Sequence, residues 1–394
     1  MRYIGNKTKL LSFIGDFLDE MDIRKGRVLD AFAGTASVGS YLKRRGFEVD
    51  GCDILSTSYV FQRAYIVANA YPSFEGLTED GDLSRARKNS DFRQRVESRF
   101  EGQGDLFNNL PSEARALEEV LAYLDTVLPP KTSFISEHYS APRDSTEGAR
   151  MYFTEDNAQR IDAIRVRLHE WIQGGLITED EFYLLLASLL ESADSVANTT
   201  GVYAAFVKTW QSNAVRPLTL SLPEIVISSD LNCRAYQGDI NRLVGSLGHY
   251  DLLYLDPPYN TRQYSAYYHV PEVIAEGWFE GVPDLRGKTG LIPDEHKKSD
   301  WSTKEGCVPA LEDLLQSADA AHILLSYNNE GIIPETEIER IFTSAGISDT
   351  YQRVGREYKR YRSDIDSEVR QYAGDRVTEY LYYVRLEGEK GRLS

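Results

Sequence analysis

Residues 251–268 read DLLYLDPPYNTRQYSAYY. The apolar run Leu252, Leu253, Tyr254, Leu255 has the length and composition of a buried strand, and it delivers Asp256 and two prolines to the strand's end. Consecutive prolines have a fixed φ and no N–H, so they neither extend a hydrogen-bonded ladder nor enter a helix interior. Asp256-Pro257-Pro258-Tyr259 therefore presents a carboxylate, a rigid carbonyl and a flat ring within one short turn. A carboxylate and a carbonyl can each accept one N–H of an exocyclic amine while a tyrosine ring stacks on the attached base. The plainer alternative is a Pro-Pro turn that closes a strand with Asp256 as a cap.

A second segment decides between these. Val28, Leu29 and Asp30 make a short strand, AFAGTAS follows over 31–37, and a helix pattern runs through Val38, Tyr41 and Leu42. Gly34 permits close backbone approach of a ligand, and the helix start adds free N–H groups. The next strand, Phe47–Cys52, ends at Asp53. An acid at the end of the second strand, about 20 residues past the loop, is placed to accept both hydroxyls of a ribose. Only one glycine of a G-x-G-x-x-G pattern is present, which favours a ligand without phosphates over a dinucleotide. A further strand, Cys233–Tyr236, leads to Asp239, beside the same crevice and also in position to cap a helix over 241–247.

The remainder is organised around these strands. MRYIGNKTK leads into an amphipathic helix with Leu10, Leu11, Ile14, Phe17 and Leu18. From about Pro72 to Pro223 the βα rhythm gives way to helical patterns. Ser112, Thr154 and the Thr178/Glu181 capping box are the expected helix starts. The expected division is 1–71 and 224–394 as the catalytic domain, with 72–223 as a helical insertion. Its loops at 102–109, 136–150 and 197–217 carry Arg, Asn, Tyr and Gly side chains suited to recognition. The polar segment Gly277–Ser302, with Arg286, Lys288, His296, Lys297 and Lys298, follows the Pro-Pro turn and is placed to close over a substrate. His322–Tyr327 and Val377–Leu386 read as strands, and Glu335–Phe342 as a helix.

Composition sets outer limits. With 42% hydrophobic and 27% charged residues in 394, the chain has the profile of a globular protein. It has neither a spanning apolar run nor a signal-peptide core, so no membrane association and a cytoplasmic location are expected. Cys52, Cys233 and Cys307 share no ligand spacing with the six histidines, so no metal site is expected. A net charge of −17 excludes a general polyanion binder, and any nucleic-acid contact must be local. Two basic stretches qualify: 84–99, with six Arg or Lys against two acids, and 353–362, with five against one. Each has a solvated basic face as its ordinary reading.

Taken together these residues resemble the S-adenosylmethionine-dependent DNA adenine-N6 methyltransferases, specifically the Dam-like alpha group. Tyr3-Ile4-Gly5-Asn6-Lys7 looks like the family's N-terminal cofactor motif. Asp30-Ala31-Phe32-Ala33-Gly34-Thr35 looks like its glycine loop, and Asp256-Pro257-Pro258-Tyr259 like its catalytic motif. A recognition region inserted between the first and last of these is the order of the alpha group. The continuation NTRQYSAYYHV and the later Ser326–Gly331 are similar to the restriction-modification subset.

The resemblance implies an α/β fold, a seven-stranded Rossmann-like S-adenosylmethionine-dependent methyltransferase sheet with its last strand reversed and a large helical insertion. It implies catalytic roles for Asp256, Pro257, Pro258 and Tyr259. It implies cofactor contacts from Tyr3, Lys7, Asp30, Phe32, Gly34, Thr35, Asp53 (ribose), Asp239 (adenine) and Asp256. Double-stranded DNA is the implied substrate and a cognate restriction endonuclease the implied partner. On this reading Arg143 and Arg150, in a loop of the insertion, read base edges, while Lys359, Arg360 and Arg362 hold phosphates. Methylation of RNA or of cytosine-N4, a non-catalytic DNA-binding protein and a nicotinamide oxidoreductase are the competing readings; Asp256, the intact loop and the missing glycines weigh against them in turn.

Overall fold

The computed structural model describes residues 1–78, 80–103, 112–143, 149–359 and 376–386. Two compact units form. One comprises the described parts of Tyr3–Gln62, Asp230–Tyr267 and Asp294–Ser394; the other comprises Met1–Arg2, Arg63–Ser229 and Tyr268–Pro293.

The first unit is built on seven strands: β1 (Arg27–Asp30), β2 (Glu48–Asp53), β3 (Arg234–Gln237), β4 (Tyr250–Leu255), β5 (Ala320–Asn328), β6 (Gln352–Lys359) and β7 (Arg376–Arg385). Their order is β3-β2-β1-β4-β5-β7-β6. β3 to β5 across the sheet are parallel, with Asp30 beside Gly51 on one side and Tyr254 on the other. β7 runs antiparallel to both β5 and β6, the reversed strand that the resemblance implied.

Successive strand residues point to opposite faces, and both faces are apolar, as parallel strands require. Leu29, Leu253, Leu255, Ile323, Leu325 and Val384 pack in one core with the helices Cys307–Ser317 and Glu335–Ala345. The alternate residues Val28, Leu252, Leu324 and Leu381 are equally buried. On that face Phe17, from helix α1 (Leu11–Glu20), meets the Tyr383 ring edge-on at 5.6 Å. Each such side chain contributes about 1.5–3 kcal/mol by leaving water.

β6 was not legible as a strand. Its sequence, QRVGREYK, reads as a basic stretch because an edge strand carries charges in place of an apolar alternation. Arg353 lies over the Tyr380 ring and pairs with Glu335, and Arg356 lies over the Phe13 ring.

The second unit is helical: Gly81–Lys88, Ser90–Gln103, Arg115–Thr126, Phe134–His138, Glu155–Gln173, Glu179–Ser195 and His269–Glu276. Thr154 caps its helix through the Asn157 N–H, and Thr178 with Glu181 closes the capping box. Ser112 does not cap. It opens a 3-10 turn, Ser112–Ala114, and its hydroxyl turns to the Glu113 carboxylate. The stretch 136–150, expected as loop, begins inside the helix Phe134–His138, and Ser140–Ala141 pairs with Phe153–Thr154. Asp162 explains that start, since its carboxylate accepts from the N–H groups of Ser133, Ile135 and Ser136.

The unit also holds 268–293. Arg165, buried among helices, donates to the carbonyls of Ile274, Ala275 and Glu276, satisfying the open end of His269–Glu276. In the basic stretch 84–99, Arg85, Arg87 and Arg99 are all ion-paired, to Asp82, to Glu119, and to Glu118 and Asp125. No helix among the described residues is long and apolar enough to cross a membrane.

Candidate active site

The sheet's strand order reverses between β1 and β4, and at such a switch point the loops after the strands part and leave a crevice. Asp30 ends β1 and Asp256 follows β4. Around this point a single cleft is lined by all the residues expected from sequence: Tyr3, Lys7, Asp30, Phe32, Gly34, Thr35, Asp53, Asp239, Asp256, Pro257, Pro258 and Tyr259.

The glycine loop is held from two sides. Gly34 has φ +51°, and a Cβ there would lie 3.2 Å from the Tyr3 ring, so only glycine lets the N-terminal motif close on the loop. The Asn6 amide donates to the Thr35 hydroxyl at 3.1 Å. Helix α2 (Ser37–Arg44) then begins from Ala36 in a left-handed conformation. From the end of β2, Asp53 accepts the Gly34 N–H at 2.9 Å and the Leu55 N–H at 3.0 Å. Asp239 caps the turn after β3 through the Asn241 N–H at 3.1 Å.

Asp30 is buried, and neither carboxyl oxygen closes a hydrogen bond of good geometry among the described residues, although the Gly39 and Phe32 N–H groups lie near it. Burial, then the neighbouring carboxylates of Asp256 and Asp53, push its pKa up to about 8, against the opposing pull of the Gly39 and Phe32 N–H groups.

The Asp-Pro-Pro-Tyr turn is pinned from β5, where the Tyr327 hydroxyl donates to the Pro258 carbonyl at 3.3 Å. Asp256 faces the Lys7 ammonium at 3.1 Å and accepts from the Tyr259 hydroxyl. Lys7 in turn pairs with Glu379 of β7. Burial pushes the Asp256 carboxyl up to about 6; Lys7 pulls it down and Glu379 pushes it up. Burial acts to lower the Lys7 pKa, but Asp256 and Glu379 together outweigh it and raise it. Burial, Asp256 and Glu379 hold the Tyr259 phenol far above its ordinary value, so it stays protonated.

Sequence reading gave Tyr259 only a stacking ring; its hydroxyl also ties the turn to the buried ions. It missed Glu379, whose one visible signal is an acid in the otherwise apolar stretch TEYLYYV at 378–384. It also missed how Gly277–Ser302 divides. Residues up to 293 belong to the helical unit, whereas Lys297, Ser299 and Trp301 line the cleft. There the Lys297 ammonium donates to the Ser56 hydroxyl at 3.0 Å, and Trp301 meets Phe32 edge-on at 4.9 Å.

Of the residues expected to meet DNA, Arg143 is exposed and paired at 3.0 Å to Asp156. Arg150 donates to the carbonyls of His138, Gly287 and Lys288, which makes it a strut of the helical unit. Lys359 ends β6, and Arg360 and Arg362 lie outside the described residues. Among the described residues no group of three or more His, Cys, Asp or Glu side chains is placed to hold a metal ion.

An Asp-Pro-Pro-Tyr turn sharing one cleft with a single-glycine loop, on a seven-stranded sheet with one reversed strand, fits the class of methyltransferases. Comparison with known proteins narrows the class. The D12 class N6 adenine-specific DNA methyltransferase family matches residues 3–341, and the chain belongs to that family.

Its relatives include the type II methyltransferase M.NlaIII of Neisseria lactamica, 34% identical over 97% of this chain and 98% of that protein. The type II methyltransferase M.FokI of Planomicrobium okeanokoites is 33% identical over 98% of this chain, and the modification methylase StsI of Streptococcus sanguinis 32% over 98%. The chain spans about half the length of these last two, 53% and 52%. The protein is thus an adenine-specific DNA methyltransferase of restriction-modification type, and its family uses S-adenosylmethionine as methyl donor.

Proposed function

We propose that the cleft of the sheet unit binds S-adenosylmethionine and receives an adenine flipped from double-stranded DNA, with Asp256 and the Pro257 carbonyl accepting the two N6 hydrogens. The observation that carries this reading is Asp256 at the switch point, in one cleft with Gly34 and Asp53.

The residues fit the cofactor. The loop offers backbone and rings in place of a phosphate cradle, and the buried Asp30 carboxyl closes no hydrogen bond of good geometry among the described residues. Asp53 is assigned the ribose hydroxyls and Asp239 the cofactor's adenine; Tyr3, Lys7, Phe32, Gly34 and Thr35 complete the pocket. When bound, S-adenosylmethionine supplies a methyl group on a cationic sulfur.

Adenine's amino nitrogen is a weak nucleophile because its lone pair is delocalised into the ring. Hydrogen bonds accepted by Asp256 and the Pro257 carbonyl favour a pyramidal nitrogen with that lone pair turned outward, and the two prolines fix the carbonyl's direction. As positive charge builds on N6, the Asp256 carboxylate stabilises it. The surplus proton then leaves N6 toward Asp256 or water. Flipping the base costs a few kcal/mol, recovered in part by stacking on Tyr259.

The helical unit is assigned to sequence reading. Arg143 suits that role, because an exposed pair such as Arg143–Asp156 is worth little and is easily exchanged for a base or phosphate. The relatives' description as type II enzymes supports a cognate endonuclease as partner.

Asp256→Ala tests the assignment. The carboxylate acts mainly in the transition state, so cofactor and DNA affinity persist in the variant while N6-methyladenine formation is lost. Near wild-type turnover would overturn the mechanism.

A further inference from the structure

Glu379 sits in the middle of β7 with 0% of its surface exposed. Its Oε1 accepts from the Lys7 ammonium and from the Ser326 hydroxyl at 2.7 Å, and lies 3.2 Å from the Tyr259 oxygen, whose single proton goes to Asp256. Its Oε2 has no hydrogen-bond partner among the described residues. Lys7 also faces Asp256 at 3.1 Å and donates to the Tyr259 oxygen.

A buried ion pair is commonly no better for stability than apolar side chains of the same volume, so fold alone gives little reason to place an acid here. The alternation of β7 does not require one either, since Leu381 occupies an equally buried position on this strand. What the acid does do is hold Lys7, the cation that faces Asp256 and donates to the Tyr259 oxygen.

We propose that Glu379 is a positioning residue for methyl transfer: from β7 it holds Lys7 against Asp256 and the Tyr259 oxygen, and it leaves the cluster with one cation against two carboxylates. This rests on the reading of Asp256 as the N6 acceptor. With Lys7 shared between two acids, the cluster keeps a net negative charge where positive charge builds on the amine. With Lys7 facing Asp256 alone, the acceptor would be neutralised and its field at the amine largely cancelled.

The groups around Asp256 are Lys7 from the N-terminal motif, Asp30 from β1, Tyr254 from β4, Tyr259 from its own turn, Tyr327 from β5 and Glu379 from β7. The three phenols are raised by burial and remain protonated. Asp30, pushed up to about 8, is still protonated where Asp256 titrates, so the charges that set Asp256 are Lys7 and Glu379. Removing Glu379 removes a like charge and gives Lys7 wholly to Asp256. Both effects lower the pH at which Asp256 titrates.

The test is Glu379→Gln, which keeps volume and removes charge, read in two ways. In the cofactor-free protein, carbon NMR of labelled aspartate carboxyls follows Asp256, its signal assigned by disappearance in Asp256→Asn. The midpoint lies at about 6 in the wild type and moves to lower pH in Glu379→Gln; Lys7→Gln moves it up. In turnover with tritiated S-adenosylmethionine and DNA from a methylation-free host, kcat falls roughly tenfold or more, with the KM for cofactor unchanged and the acid limb of kcat/KM shifted down.

A loss of folding stability alone would lower the yield of active protein and move neither the midpoint nor the limb. Should the glutamine variant not fold, Ser326→Ala deletes one hydrogen bond to Glu379 and no charge; kcat then falls severalfold with cofactor affinity retained. An Asp256→Asn protein with full turnover removes the Asp256 reading itself. An inactive Asp256→Asn beside a Glu379→Gln, or a folded Ser326→Ala, that matches wild type overturns the role of Glu379 alone.

Discussion

Replacing Asp53 separates the two things its carboxylate is asked to do. Its oxygens accept the N–H groups of Gly34 at 2.9 Å and Leu55 at 3.0 Å, and a carboxylate has lone pairs enough to accept ribose hydroxyls as well. Hydrogen bonds to a charged group contribute about 1.5–3 kcal/mol each. Alanine removes them all. Asparagine keeps one acceptor oxygen and turns an NH2 toward one of the donors, so at least one bond is lost.

At about 1.4 kcal/mol per tenfold, calorimetric titration with S-adenosylmethionine should show Asp53→Asn weaker by about tenfold and Asp53→Ala by about a hundredfold or more. Thermal unfolding with and without cofactor supplies the control. Ligand stabilisation, RT ln(1 + [L]/Kd), drops by about 1.4 kcal/mol for each tenfold loss while ligand exceeds Kd. An alanine variant that melts lower yet binds the cofactor as the wild type does would make Asp53 a clamp of the loop and refute its place in the ribose site.

Two further outcomes follow from the same geometry. Because Asp256 must be ionised to accept from N6 and titrates at about 6 in the free protein, kcat/KM should fall as pH drops through 6; a limb near the ordinary aspartate value of about 3.9 would show an acceptor in contact with water. Gly34→Val adds a β-branched side chain at φ +51°, with its Cβ 3.2 Å from the Tyr3 ring; the left-handed backbone alone costs about 1–2 kcal/mol, so cofactor affinity and melting temperature both fall, and an unchanged affinity would detach Tyr3 and Gly34 from the site.

What the sequence made legible were features encoded within a few residues. The loop at 31–37, the acid at 53 and the turn at 256–259 each carry their own punctuation, and they sit at strand ends that apolar runs announce. The central strands were read because burial on both faces leaves nearly continuous apolar stretches.

The edge strand Gln352–Lys359 escaped because its charges serve an exposed edge. That Arg150 donates to backbone carbonyls at 138, 287 and 288 was not legible, because nothing local indicates those partners. Glu379 escaped, and Lys297 was read only as one of several cations in the segment 277–302, for a related reason. Each is held by residues brought from elsewhere in the chain, Lys7 and Ser326 for the one and Ser56 for the other, and such pairings exist only once the chain is folded.

The central claim is that the Asp256-Pro257-Pro258-Tyr259 turn methylates the exocyclic amine of adenine in DNA. Mass spectrometry of nucleosides, from unmethylated double-stranded DNA incubated with the protein and S-adenosylmethionine, tests it most directly. The account predicts N6-methyladenine with the wild type and none with Asp256→Ala. N4-methylcytosine as the product, or N6-methyladenine formed equally by the Asp256→Ala protein, would contradict it.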